Sequence, residues 1–144
     1  MAKSRRSEGH LGIDTNVLVA YLDRGHPSHG AVAWLSGESV ALNPTIVHEA
    51  YHTLVFKMKW KRDEARNALI EAITDEGVLF INQTLRTTRV GIQLAANRDL
   101  GGRDGLIVAS FLVGGVRKLL TLDRALLALK TVALGDSKLE IRGP

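Results

Sequence analysis

The stretch HLGIDTNVLVAYLD, residues 10–23, indicates the fold of this chain. It opens with a short apolar run that ends on an acid, Asp14, and continues with apolar residues at helical spacing until Gly25 and Pro27 interrupt the pattern. We therefore predict a short buried strand followed directly by a helix. The stretch KLLTLD, residues 118–123, repeats this arrangement, with Asp123 closing the strand and a short helix after it.

The same alternation of strand and helix continues along the rest of the chain. Apolar residues recur at helical spacing between breaks at Gly, Pro and Asn, as Ala65, Leu69 and Ile73 do. Such alternation, with strands that are apolar on both faces, predicts a three-layer α/β/α fold with a mostly parallel central sheet of about five short strands. Further strands are predicted at 40–42, 78–81 (buried) and 138–141, and further helices at 28–37, 45–59 (capped by Thr45), 63–75, 85–97 and 103–112.

Length and composition favour one folded domain. The chain has 144 residues, of which 45% are apolar and 24% charged, a balance typical of an ordered globular protein. It has no cysteine, which excludes disulfides, thiolate metal sites and cysteine nucleophiles and is consistent with a cytoplasmic protein. The most apolar stretch, residues 106–116, is shorter than a bilayer requires, so we expect no membrane contact. We predict a basic tail over residues 1–9 and a single domain over residues 10–144.

Acids at the ends of strands are of interest because a parallel sheet binds its ligands in the crevice beyond the carboxyl ends of its strands. Asp14 and Asp123 each follow a predicted strand, while Glu49 and Asp104 lie near the starts of predicted helices in apolar surroundings. Any one of these acids could simply cap a helix. Four clustered carboxylates repel one another unless a cation compensates them, and an all-oxygen ligand set suits Mg²⁺ or Mn²⁺. The pattern therefore predicts metal-assisted hydrolysis of a phosphodiester.

Four segments that contain these acids resemble the successive motifs of PIN-domain ribonucleases, many of which are VapC-type toxins of prokaryotic toxin–antitoxin pairs. The segments are IDTNVLV (13–19), VHEAYHTL (47–54), RDGLIVAS (103–110) and LLTLDRALL (119–127). The resemblance implies that Asp14, Glu49, Asp104 and Asp123 form a metal-binding active site for Mg²⁺ or Mn²⁺. It also implies that Asn16 and Thr121 support the metal shell.

The resemblance further implies an endoribonuclease that acts on RNA, forms a homodimer and pairs with an antitoxin protein. One departure is Gly105, where many relatives carry a larger residue, and we expect it to loosen the start of the helix that carries Asp104. A non-catalytic RNA-binding module with the same fold is a contrasting hypothesis.

A competing motif overlaps the second segment. HEAYH, with His48, Glu49 and His52, satisfies H-E-x-x-H, in which two histidines on one helical face bind zinc and the glutamate acts as the base of a metalloprotease. Glu71 or Glu76 would have to supply the third ligand. This alternative leaves the other three acids unexplained, so we prefer the nuclease.

The net charge of +4 favours a polyanionic partner. The candidates for contact with RNA phosphates are Arg103, which adjoins Asp104, and the basic run Lys57, Lys59, Lys61 and Arg62. Within that run Trp60 has two interpretations, since it could stack on a base or simply cover the neighbouring helices.

Overall fold

The computed structural model describes residues 9–144. The predicted basic tail, residues 1–9, lies outside the described residues except for Gly9, so its interpretation stays a prediction. Within the described part of the chain, no helix is long and apolar enough to cross a membrane.

Six short strands and seven α-helices alternate along residues 9–144. The strands are β1 (Leu11–Ile13), β2 (Val40–Leu42), β3 (Val78–Phe80), β4 (Lys118–Leu120), β5 (Thr131–Leu134) and β6 (Ser137–Arg142). The helices are α1 (Thr15–Leu22), α2 (His29–Val32), α3 (Pro44–His52), α4 (Arg62–Thr74), α5 (Leu85–Arg98), α6 (Gly102–Val113) and α7 (Arg124–Leu129). A 3₁₀ turn, Ala33–Leu35, follows α2, and a π-helical turn, Thr53–Lys57, extends α3.

The strands form one sheet in the order β3-β2-β1-β4-β6-β5. All neighbouring strands are parallel except β5 and β6, which pair antiparallel. The chain first adds β2 and β3 on one side of β1 and then returns to place β4 on the other side. This reversal puts β1 and β4 next to each other, with Leu11 opposite Lys118 and Ile13 opposite Leu120. The crevice expected at such a reversal therefore lies beyond Ile13 and Leu120.

The prediction of a mostly parallel α/β sheet is confirmed, although it omitted one strand and was wrong about the burial of β3 and the cap of α3. The missed strand is β5, whose residues alternate between exposed and buried positions and join β6 through the two-residue turn at Gly135 and Asp136. Strand β3 is a partly exposed edge strand, so the expectation that 78–81 is buried was wrong.

The predicted cap of α3 was also wrong, because Thr45 does not cap this helix. Asn43 does, because its Oδ1 accepts the N–H of Ile46 at 3.0 Å, and Pro44 occupies the first helical position, which needs no N–H donor.

Glycines let α5 and α6 cross closely at the helix that carries Asp104. A Cβ on Gly105 would lie 2.5 Å from the carbonyl oxygen of Gly91 and 2.9 Å from the Cβ of Ala95. A Cβ on Gly91 would lie 3.0 Å from the Cα of Leu106. The expectation that Gly105 loosens the start of this helix was therefore wrong, because its missing side chain is what allows α5 to pack against α6.

We predict that Gly105→Ala destabilises the fold by about 1 to 3 kcal/mol, because the added methyl group would force the two helices apart. Gly102→Ala is the matched control in the same helix, since a Cβ there meets nothing within 4 Å. Its helix propensity should leave stability unchanged or raise it by up to about 1 kcal/mol. Urea unfolding followed by circular dichroism measures both, and equal midpoints for Gly105→Ala and the native protein would contradict the close crossing.

Candidate active site

The four acids predicted from the sequence line one cleft of about 270 Å³. Asp14 follows β1, Asp123 follows β4 with two residues between, Glu49 lies in the second turn of α3, and Asp104 lies in the first turn of α6. The cleft is at the carboxyl edge of the sheet, where the strand order reverses. Residues that are as far apart in sequence as Asp14 and Asp123 thus share a single surface.

Asp14 is the most deeply buried of the four acids, with a relative exposure of 5%. Its Oδ1 accepts the N–H of Thr15 at 2.8 Å, and its Oδ2 accepts the hydroxyl of Thr121 at 2.7 Å. The Thr121 hydroxyl in turn accepts the N–H of Asp123 at 3.0 Å. Thr121 therefore links the two acids that follow β1 and β4 and fixes the orientation of the Asp14 carboxylate.

Asp14 and Asp123 each cap a helix and also line the cleft. Asp14 caps α1 through Thr15, and Asp123 caps α7 by accepting the N–H of Ala125 at 2.9 Å. Asn16 accepts the N–H of Leu122 at 3.1 Å and so ties α1 to the end of β4. Thus Asn16 and Thr121 both support the edge of the cleft.

Arg103 is the cation that lies against the carboxylates. Its Nη1 is 2.7 Å from Oε2 of Glu49, and its Nη2 is 4.0 Å from Oδ1 of Asp104. The same Glu49 accepts the hydroxyl of Thr15 at 3.3 Å through its other oxygen. In this conformation a guanidinium neutralises part of the charge of the cleft, and Glu49 is held between Arg103 and Thr15.

Burial raises the pKa of Asp14, Glu49 and Asp104 above their ordinary values, and repulsion among the carboxylates adds to the effect. For Asp14 the charge that adds to burial is Asp123, and hydrogen bonds from Thr121 and Thr15 oppose the rise in its pKa. Arg103 lowers the pKa of all three acids and so acts as their common counter-charge. The expected repulsion is present, but desolvation is the larger cause.

The basic run predicted to contact RNA divides in the structure. Lys57 lines the cleft together with Arg103, whereas Lys59, Lys61 and Arg62 are exposed and do not line it. Trp60 packs against the hydrophobic core. The interpretation of Trp60 as a cover for the helices is therefore the one that the structure favours.

Lys57 lies at the cleft because the helix widens after α3. The N–H of Met58 donates to the carbonyl of Thr53, five residues earlier, at 2.9 Å. Such a π turn has more residues per turn than an α-helix, so positions four apart in sequence stay on nearly the same face. Glu49, Thr53 and Lys57 accordingly all line the cleft. The sequence pattern predicts an ordinary helix over 45–59, whereas the structure contains this π turn.

The histidines of HEAYH lie away from this arrangement. His48 and His52 are exposed and do not line the cleft, and the ring of His52 packs against Phe56 with centroids 4.9 Å apart. Within residues 9–144, no three His, Asp or Glu side chains are grouped as a metal site. A zincin site would need such a group, and the glutamate of the motif is paired with Arg103 instead.

The absence of such a group in residues 9–144 also applies to the four acids of the cleft. The four acids share a cleft, but in the described residues they do not converge as a ready set of metal ligands. Their chemistry nevertheless suits a hard divalent cation, because all four are oxygen donors and a positive charge would lower the raised pKa values of Asp14, Glu49 and Asp104. In this conformation Arg103 supplies that charge.

Two features of the cleft were not predicted from the sequence. Thr15 orients Glu49, and His26, on the loop between α1 and α2, lines the cleft beside the acids. The position of Thr15 directly after Asp14 could have suggested its role. Nothing near His26 in the sequence points to the cleft, because the loop that carries it reaches the site only through the fold.

A family model described as PIN domain matches residues 12–132, which is most of the chain. The chain belongs to the PIN domain family. The resemblance seen in the sequence motifs is thereby confirmed. No curated protein matches the chain.

Solved structures of toxins share the fold of this PIN domain. VapC20 of Mycobacterium tuberculosis, a sarcin-ricin loop cleaving toxin, is 15% identical with a TM-score of 0.71, over 86% of this chain and 98% of that one. VapBC2 of Rickettsia felis, bound to a DNA fragment from its promoter, is 15% identical with a TM-score of 0.63, over 93% and 98%. A toxin–antitoxin complex from Klebsiella pneumoniae is 21% identical with a TM-score of 0.59, over 79% and 86%. At these identities the likeness shows a common fold.

We predict that Asp14→Asn raises the melting temperature of this PIN domain at pH 7 in the presence of a chelator. Burial raises the pKa of Asp14 in the folded state above 3.8, so the folded state loses stability as pH rises from that value through the raised pKa. Asparagine removes this cost, and its amide can keep the contacts with Thr15 and Thr121. The gain over the native protein should therefore be smallest near pH 4 and largest at neutral pH.

Differential scanning fluorimetry across this pH range measures the effect of Asp14→Asn. Asp136→Asn, at an exposed turn position, is the control and should leave the melting temperature unchanged. A mutant that melts below the native protein at pH 7 would show that the Asp14 carboxylate is not under electrostatic strain.

Proposed function

We propose that this PIN domain is a metal-dependent endoribonuclease, with Asp14, Glu49, Asp104 and Asp123 as its catalytic acids. The observation that carries the proposal is that these four carboxylates line one cleft although the elements that carry them are far apart in sequence. Carboxylates placed together at a cost in desolvation are typical of a site whose function needs them. A peptide-cleaving zinc site would leave three of the four unused.

The four acids are the residues that would hold Mg²⁺ or Mn²⁺. A bound divalent ion of this kind supplies a water of lowered pKa and charge stabilisation for the oxygens of a phosphodiester. We infer that Glu49 must first leave Arg103 in order to bind the ion, because one of its oxygens is engaged by the guanidinium. Arg103 then becomes available to pair with a phosphate of the RNA.

The chain's own hydrogen bonds prepare the acids for this role. Thr121 holds the Asp14 carboxylate, and Thr15 holds one oxygen of Glu49. Glu49 has two alternative roles: it binds the ion, or, with a pKa raised chiefly by burial, it accepts a proton from an attacking water. Asn16 and Thr121 fix the backbone that follows β4 by accepting the N–H groups of Leu122 and Asp123.

We also propose that the protein is the toxin of a toxin–antitoxin pair and binds an antitoxin protein as a homodimer. The support is the shared fold with VapC20, a toxin that cleaves the sarcin-ricin loop, and with subunits of two toxin–antitoxin assemblies. A neighbouring reading frame for a small DNA-binding protein would support this proposal. Light scattering of the purified protein measures whether it is a dimer.

The purified protein should cleave single-stranded or folded RNA in Mg²⁺ or Mn²⁺ and lose this activity in excess chelator. Asp104→Asn should lower the cleavage rate by more than about 100-fold without unfolding the chain, because it removes a proposed ligand. Gel analysis of labelled RNA measures the rates, with Asp136→Asn as the unaffected control. Undiminished cleavage in chelator overturns the metal-dependent mechanism, and binding without any cleavage favours the RNA-binding module.

A second comparison separates the nuclease from the zinc alternative. Glu49→Gln should remove most nuclease activity, whereas the double substitution of His48 and His52 by Ala should leave most of it, since both imidazoles are exposed outside the cleft. Metal analysis and peptide cleavage of the same proteins complete the test. Stoichiometric zinc and peptidase activity that both disappear in the double mutant would reverse the assignment.

A further inference from the structure

His26 is a histidine of the cleft that the proposed chemistry does not use. It lies on the loop between α1 and α2, and it lines the same cleft as the four acids, Lys57 and Arg103. The N–H of Ser28 donates to its Nδ1 at 3.0 Å. One ring nitrogen is therefore occupied by the backbone of the loop itself.

The loop around His26 is held in place by its own hydrogen bonds. The N–H of His26 donates to the carbonyl of Asp23 at 3.0 Å, and the N–H of His29 donates to the carbonyl of His26 at 3.0 Å. The ring of His29 contacts the carbonyl of Ala20 through Nδ1 at 2.8 Å, which ties the loop to α1. These bonds fix the position of the His26 ring relative to the helix that begins at the Asp14 cap.

The bond from Ser28 also determines where the ring carries its proton. Because Nδ1 accepts an N–H, the neutral imidazole has its proton on Nε2. Among residues 9–144, Nε2 has no hydrogen-bond partner. His26 thus adds an N–H donor to the lining of a cleft that contains four carboxylates.

An RNA phosphodiester needs such donors, since the carboxylates repel its charge. Arg103 is paired with Glu49, and Lys57 projects from the π turn. The Nε2–H of His26 can bind a phosphate oxygen without competing with the metal for the carboxylates.

We propose that His26 is a substrate-binding residue whose Nε2–H donates to a phosphate oxygen of the RNA held in this cleft. The inference rests on the proposed ribonuclease function and extends it by naming a residue that contacts the substrate. It assigns different roles to His26 in the loop and to His29 at the start of α2. His26 binds the substrate and His29 holds the loop.

Two conservative substitutions separate substrate binding from a role in folding. In His26→Asn, the amide oxygen can replace Nδ1 and accept the N–H of Ser28, but the side chain is too short to place a donor where Nε2 lies. In His26→Gln, the amide N–H reaches toward the position of Nε2. Substrate binding predicts that Asn is defective and Gln is active, whereas a purely structural role predicts the opposite order.

The experiment is single-turnover cleavage of a mixed-sequence, labelled RNA in Mn²⁺, with protein titrated to give the half-saturating concentration and the maximal rate. We expect His26→Asn to raise the half-saturating concentration about tenfold, as for loss of a hydrogen bond to a charged group, and His26→Gln to stay within about threefold of the native protein. His48→Asn, an exposed histidine outside the cleft, is the matched control and should behave as native. Melting curves ensure that every protein is assayed below its unfolding transition.

Any other order of the two His26 variants overturns the inference, including native-like cleavage by His26→Asn. Absence of cleavage by the native protein would instead overturn the proposed function. In that case fluorescence anisotropy of the same RNA in chelator, with the same variants, still tests whether His26 contacts it. Equal dissociation constants for the native protein and His26→Asn would then exclude the contact.

Discussion

Arg103 forms an ion pair with Glu49, with 2.7 Å between nitrogen and oxygen, and so compensates part of the negative charge of the cleft. The other Asp, Glu, Lys or Arg side chains that line the cleft are three more carboxylates, which repel one another, and one lysine. The guanidinium lowers the pKa of Asp14, Glu49 and Asp104 together, so it acts on the group of acids rather than on one partner. Arg103 is largely exposed, so its guanidinium is also in contact with solvent.

The acids meet because of backbone geometry at three places. The reversal of strand order puts β1 beside β4 and brings together the two acids that follow them. The close crossing of α5 and α6 at Gly91 and Gly105 fixes the helix that begins beside Asp104. The π turn after α3 keeps Thr53 and Lys57 on the same side as Glu49. Together these three features arrange the residues that line the cleft.

Much of this arrangement was predictable because strong signals lie close together in the sequence. An apolar run that ends on an acid before a helical pattern identified β1 with Asp14 and β4 with Asp123. Features that depend on long-range packing were not predictable in this way. The role of Gly105 depends on a helix that begins twenty residues earlier, and the approach of His26 to the acids depends on the path of a loop. Strand β5 was missed because its alternating pattern is short and gains its partner only through the hairpin with β6.

The hydrogen bond from Thr121 to Asp14 spans 107 positions of the chain. During synthesis, Asp14 leaves the ribosome long before its partner exists, and β1 has no neighbour on that side until β4 emerges. A nascent chain that ends before β4 therefore contains the first acid of the cleft but no cleft. Pairing between such distant segments also forms late in folding, because a long loop must close first. This topology therefore delays assembly of the cleft until nearly the whole domain has been translated.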